Sequence, residues 1–219
     1  MKRLALALLL LTACALVAQP APVAPAARVV FEQRWPAADP QWFELVLQSD
    51  GSARYRSLAH QEANAAAPTP EPFEFNFTLS PKSRQQVFAL GPRLSGFKDS
   101  LDKSKVAFTG TKTLRYEDGA GNSPSISYGF TSSPELRAVT ELLDGISETI
   151  ELGERLRFQL RFDKLALDST LRGAEELVSL PRLPERQILE PILTRIADDA
   201  TVMNIARQRA RRILKSPAN

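Results

Sequence analysis

The sequence predicts an α+β protein: an antiparallel sheet of about six or seven strands with one covering helix, followed by a helical C-terminal half. Two observations carry this. Apolar residues recur mostly at alternate positions from Arg28 to Tyr128 and at three- and four-residue spacings after Ser133-Pro134. Strands that come first and helices that come afterwards segregate into a sheet and a helical layer, because the chain does not alternate between the two. A third observation sets the class of protein. With 43% hydrophobic and 24% charged residues the composition is that of an ordinary globular domain.

The elements follow in order. Val29, Val30 and Phe31 open a short strand. Trp42 to Gln48 and Ala53 to Leu58 flank Ser49-Asp50-Gly51-Ser52, where Asp-Gly supplies the positive φ angles of a tight hairpin. Phe73, Phe75 and Phe77 alternate with Glu74, Asn76 and Thr78, so the rings share one face of a strand. Ser80-Pro81 reads as a helix cap and first turn, leading into Lys82 to Leu90 before Gly91-Pro92 stops the helix. Val106 to Thr109 and Thr113 to Glu117 are strand candidates, and Asp118-Gly119-Ala120-Gly121-Asn122 turns the chain into Ser125 to Phe130.

The second half is helical. Leu136, Val139, Leu142, Leu143, Ile146 and Ile150 form a buried stripe. Residues 156–162 fit either strand alternation or helical spacing, and good helix formers around them favour helix. Asp168 or Ser169 caps a helix to about Ser179; Leu180 to Pro184 breaks the chain; Ile188, Leu189, Ile192, Leu193 and Ile196 form another stripe around Pro191. A last helix is expected from near Asp198-Asp199 through Ile213.

The N-terminus gives an address. Lys2-Arg3, the leucine-rich run to Leu11 and the small residues after it have the layout of a bacterial secretory signal, too short to span a bilayer of about 30 Å. Leu11-Thr12-Ala13-Cys14 resembles the lipobox of bacterial lipoproteins, which implies lipidation at Cys14; the alternative cut lies after Ala18 and leaves a chain starting at Gln19. Cys14 is the single cysteine, so no internal disulfide is expected. The expected organisation is a signal over 1–18, a Pro/Ala spacer over 19–27, a mainly β portion over 28–132 and a helical portion over 133–219 within the same domain.

Catalytic constellations are scarce. One histidine, His60, sits among Gln61, Glu62, Ala63 and Asn64, which disfavours a histidine-based triad or a zinc site built from several histidines. No cofactor is expected. Glu175-Glu176 and Asp198-Asp199 are adjacent pairs whose side chains diverge by about 100° on a helix. Gly110-Thr111-Lys112-Thr113 superficially resembles the end of a phosphate loop, but the earlier glycine is missing and strand follows. Trp35, Trp42, Phe43, Tyr55, Tyr116 and Tyr128 serve either a core or a ligand-stacking face, with core the simpler reading.

Charge concentrates at the C-terminal end, where Arg207, Arg209, Arg211, Arg212 and Lys215 follow the last acidic residue, Asp199. They form either an anionic-surface site, such as lipid headgroups would fill, or the solvated end of a helix whose cations complement its dipole. A net charge of +3 and export from the cytosol both disfavour nucleic acid as a partner. The expectation is a non-enzymatic exported envelope protein, periplasmic or held at the membrane by lipid on Cys14, that binds or scaffolds a protein partner in the envelope. Alternatives are a small envelope hydrolase using carboxylates and an inhibitor of secreted enzymes presenting the 60–72 loop.

Overall fold

The computed structural model describes residues 26–58, 72–97, 110–180 and 182–216. Six strands form one antiparallel sheet: β1 (Arg28–Arg34), β2 (Trp42–Gln48), β3 (Ser52–Leu58), β4 (Phe73–Thr78), β5 (Thr111–Glu117) and β6 (Ser125–Tyr128), in the order β4-β3-β2-β1-β5-β6. Five α-helices join them: α1 (Pro81–Leu90), α2 (Pro134–Phe162), α3 (Leu167–Ser179), α4 (Glu190–Asp198) and α5 (Asn204–Lys215). The α+β class, the antiparallel sheet and the helical second half are as the hydrophobic periods predict. The candidate strand at Val106 to Thr109 lies outside the described residues, as do Cys14 and His60.

Register assigns the sheet faces. Phe31 pairs with Leu45 and Leu114, Leu45 with Tyr55, and Leu114 with Ile126, so these side chains share the inner face. The opposite face carries a polar row from Glu74 through Arg56, Glu44, Glu32 and Thr113 to Ser127. At the β2–β3 turn Gly51 takes φ +98°, while the Asp50 carboxylate accepts the Ser52 amide at 2.8 Å. The expected positive φ therefore falls on the glycine, and Asp50 supplies a side-chain bond.

Two cores share one helix. The inner sheet face packs against Val87 and Leu90 of α1 and against Leu136, Val139, Leu143, Ile146 and Ile150 of α2. The second core joins Leu152, Leu156 and Leu160 of α2 to Leu171 of α3, Ile192 and Ile196 of α4, and Ala206, Ala210 and Ile213 of α5. The 29 residues of α2 extend about 44 Å at 1.5 Å each, long enough to serve both. Gly153 does not end it. That residue is buried, with Leu189 close against it. The second core needs residues 156–162 helical, which settles their ambiguous period: Leu156 and Leu160 face inward while Phe158 and Phe162 are 58% and 63% exposed.

Ser80 and Ser133 each cap a helix whose first residue is proline, with side chains accepting the Ser83 and Leu136 amides. Helix α3 starts at Leu167, one residue before the proposed Asp168 cap, and α5 starts at Asn204, about five residues after the proposed Asp198-Asp199 start. The second difference has a local cause. Asp199 accepts the Thr201 amide at 2.8 Å in a turn and pairs with Lys164 at 2.8 Å, so its side chain closes a corner between helices.

Candidate functional site

Polar side chains converge where α2 crosses the inner face of β1, β2 and β5. A cleft of about 510 Å³ is lined there by Gln33, Lys112, Asp144, Glu148, Glu151 and Arg155, with Trp35, Pro40, Phe43, Leu152 and Leu177 among its apolar walls. That volume lies within the ~300–1,000 Å³ usual for small-ligand sites. Strand parity places Lys112 there: it shares the inward face with Leu114 and Tyr116, and only 8% of it is exposed. Among the described residues its side chain makes no hydrogen bond and no ion pair within 4.0 Å, and its charge acts on Asp144 across the cleft. Gly110, at φ +89°, lets β5 begin beneath the 34–35 backbone, since a Cβ would stand 2.6 Å from the Arg34 carbonyl oxygen.

Helical spacing supplies the facing carboxylates. Asp144, Glu148 and Glu151 occur at i, i+4 and i+7 along α2, with Cβ atoms of Asp144 and Glu148 about 5–6 Å apart. Their environments differ. Glu151 is engaged: its Oε1 accepts the hydroxyls of Tyr55 and Ser57, each at 2.7 Å, and Tyr55 also meets Ser147 Oγ at 2.9 Å. Burial, reinforced by Glu151, pushes the Tyr55 phenol far above its ordinary pKa, so it remains a donor in this cluster. Asp144 is the unsettled group. Burial, with added repulsion from Glu141 and Glu148, raises its pKa to about 6 despite the opposing pull of Lys112.

Two acceptors in the same cleft lack partners. Gln33 Oε1 and Asp144 Oδ1 are both buried without a hydrogen bond among the described residues. An unsatisfied buried acceptor costs about 1–3 kcal/mol, so such atoms mark a place where binding energy is stored. The carboxylates do not converge on a metal position: among the described residues no group of three His, Cys, Asp or Glu side chains is arranged as ligands.

The cations singled out at the C-terminus are largely engaged within the helical half. Arg209 donates from Nε to Asp168 at 2.7 Å and from Nη1 to Glu175 at 2.5 Å, tying α5 to α3. Arg212 Nε reaches the other Glu175 oxygen at 2.7 Å, and Arg211 Nη2 donates to the Ala197 carbonyl at 2.7 Å. Arg207 makes a long bond to Asn204 Oδ1 at 3.4 Å, and Lys215 is exposed. Arg209 is the largest influence holding the Asp168 carboxyl below its usual range; at Glu175 burial opposes ionisation, but Arg212 and Arg209 outweigh it.

A second cleft, about 320 Å³, lies between the start of α1 and the 183–187 segment. Its buried carboxylate is used by the fold. Glu185, at φ +58°, accepts the Ser80 amide at 2.8 Å and the Ser80 hydroxyl at 2.7 Å, and Gln187 also donates to it. Both oxygens are satisfied, and together they fasten the N-terminus of α1 to the helical half.

The aromatic residues divide between these roles. Phe43, Tyr55 and Tyr128 are core, whereas Trp35 lines the polar cleft. Trp42 lies on the outer face, its ring 5.8 Å from both the Arg34 and the Arg56 guanidinium. The cleft is not evident from the sequence, where Lys112 reads only as part of an incomplete phosphate-loop pattern. Its signal was a lysine at the inward parity of a strand. No protein-family model matches the chain, and no curated protein matches it.

Proposed function

We propose that the protein is an exported, non-enzymatic binding module of the bacterial envelope, and that the cleft between β5 and α2 is where it holds its ligand. One observation carries the reading: Lys112, nine-tenths buried and without an ion-pair partner among the described residues, faces the same cleft as two orphaned acceptors. Two buried acceptors without donors are costly for a fold whose only task is stability. A ligand that donates to them and accepts from Lys112 recovers that cost on binding. The basic signal and the Leu11-Thr12-Ala13-Cys14 segment support export, with the domain either free in the periplasm or tethered through Cys14. A scaffolding role toward an envelope protein is then exercised through the ligand-bound domain.

A second reading has its own support. A carboxyl raised to about 6 one helical turn from Glu148 is the pairing a carboxylate hydrolase uses for acid and base work. The cleft favours binding over hydrolysis because Glu151 is immobilised by the hydroxyls of Tyr55 and Ser57.

The test is thermal unfolding of the protein in a small-molecule extract of its own envelope. A ligand that binds only the folded state raises the midpoint. The reading expects the extract to raise the midpoint of wild type and leave that of Lys112→Met unchanged; the same response in both proteins, or none in either, contradicts it. Consumption of an extract component that stops in Asp144→Asn and Glu148→Gln selects the hydrolase instead.

A further inference from the structure

One row of side chains crosses the sheet beneath the cleft. Register sets Tyr128, Lys112, Gln33, Phe43 and Ser57 opposite one another on β6, β5, β1, β2 and β3, with neighbouring Cβ atoms about 5 Å apart. Helix α2 runs along this row, since its Thr140 meets the Tyr128 hydroxyl at 2.6 Å and its Glu151 accepts the Ser57 hydroxyl at 2.7 Å. Asp144 lies four residues and about 6 Å past Thr140, and strands are about 4.8 Å apart, so it stands over Lys112 and beside Gln33. One donor, Lys112, and two orphaned acceptors, Gln33 Oε1 and Asp144 Oδ1, therefore meet at one spot. Trp35 lies next to them, seated against Gly110, where a Cβ would stand 2.6 Å from that of Trp35.

From this geometry we infer that the cleft binds a neutral saccharide, its hydroxyl edge on Lys112, Gln33 and Asp144 and its apolar C–H face on Trp35. The inference rests on the binding role proposed above and names the ligand class for that site. Hydroxyls suit the polar spot because one oxygen both donates and accepts. The same group takes a hydrogen bond from Lys112 and gives one to Asp144 Oδ1, while its neighbour on the ring gives one to Gln33 Oε1. The charges of the cleft favour a neutral ligand. Both signs are interspersed around it, with Lys112 and Arg155 among Asp39, Asp144 and Glu148, so a bare anion or a bare cation meets like charge. A purely apolar ligand would cover Trp35 and Phe43 but leave the two acceptors without donors. A sugar ring carries both kinds of surface, as a cleft with apolar walls and a few placed polar groups requires.

The experiment reads the fluorescence of the mature Trp42→Phe protein, in which Trp35 is the single tryptophan. Glucose, galactose, mannose and N-acetylglucosamine are titrated in turn, with glucuronate and glucosamine as charged counterparts. At least one neutral sugar is expected to change the Trp35 emission saturably, and each charged sugar to bind at least tenfold more weakly than the best neutral one. Adding Lys112→Met or Gln33→Leu should weaken that sugar at least tenfold. Urea titration verifies that both variants fold, and should Lys112→Met fail to fold, Gln33→Leu decides alone. Binding undiminished in either folded variant, or no response to any neutral sugar, overturns the inference. A charged sugar binding as tightly as the best neutral one would assign the site to an ionic ligand and overturn it equally. If no sugar binds while envelope extract still raises the wild-type midpoint through Lys112, the binding role stands and only the ligand class fails.

Discussion

Replacing Asp144 by asparagine should stabilise the protein at neutral pH. The ordinary carboxyl pKa of an unfolded aspartate is about 3.9, whereas burial beneath the sheet, with Glu141 and Glu148 nearby, lifts that of Asp144 to about 6 in the folded chain. The folded state therefore binds this proton more tightly than the unfolded state. Stability from the group is fully present below about pH 4 and is lost as pH rises through about 6, where the folded carboxyl is forced to ionise. A difference of about two pH units at about 1.4 kcal/mol each makes the loss about 3 kcal/mol, an upper figure. Asparagine keeps the shape and removes the charge. Urea titrations of both proteins from pH 4 to pH 8 isolate the effect, because taking the difference cancels the other carboxylates. The variant should match wild type near pH 4 and exceed it by about 2–3 kcal/mol at pH 7. A difference that is flat across the range, or a variant less stable at pH 7, would refute the claim that Asp144 carries an uncompensated burial penalty.

Phe75 stacks between Phe73 and Phe77, with the Arg157 guanidinium 5.1 Å from its ring, yet the ring is half-buried; Phe75→Ala should lower stability by about 1.5–3 kcal/mol in urea, less than a fully buried ring. Gly91→Ala places a Cβ 2.3 Å from the Tyr116 ring, and calorimetry should show a loss of about 1–3 kcal/mol as that ring shifts away from Phe88. Arg209→Ala cuts the link from α5 to Asp168 and Glu175, so the thermal midpoint should fall at low salt; a fall that persists unchanged in 1 M salt would assign its role to packing rather than charge.

The sheet and the helical half were legible because each obeys one period. Phe31, Phe43, Leu45, Leu47 and Leu114 fall at alternate, buried positions of their strands, while Leu143, Ile146 and Ile150 recur at helical spacing. Local signals also located the starts of α1 and α2, since Ser-Pro fixes both cap and first turn. Less was legible where one signal serves two structures. Asp198-Asp199 resembles a helix cap in sequence, but Lys164, 35 residues earlier, claims Asp199 for an interhelical corner. The cleft was the least readable feature. Lys112, Gln33 and Asp144 are ordinary residues in their own segments, and their shared environment arises only when β5, β1 and α2 are assembled. The C-terminal cations illustrate the reverse case: Arg207, Arg209, Arg211, Arg212 and Lys215 stand out as a run, yet the partners of Arg209 and Arg212 lie on α3, distant in sequence.

The central claim is that the cleft around Lys112 is occupied during the life of the protein. Native mass spectrometry of the protein, recovered from its own envelope without denaturation, measures that occupancy directly. Wild type should carry a small non-covalent ligand, released on mild collisional activation, and Lys112→Met recovered in the same way should show only the bare mature chain. Wild type and Lys112→Met with the same spectrum, both bare or both carrying the same added mass, would contradict the account and return Lys112 to the status of a buried cation tolerated by the fold.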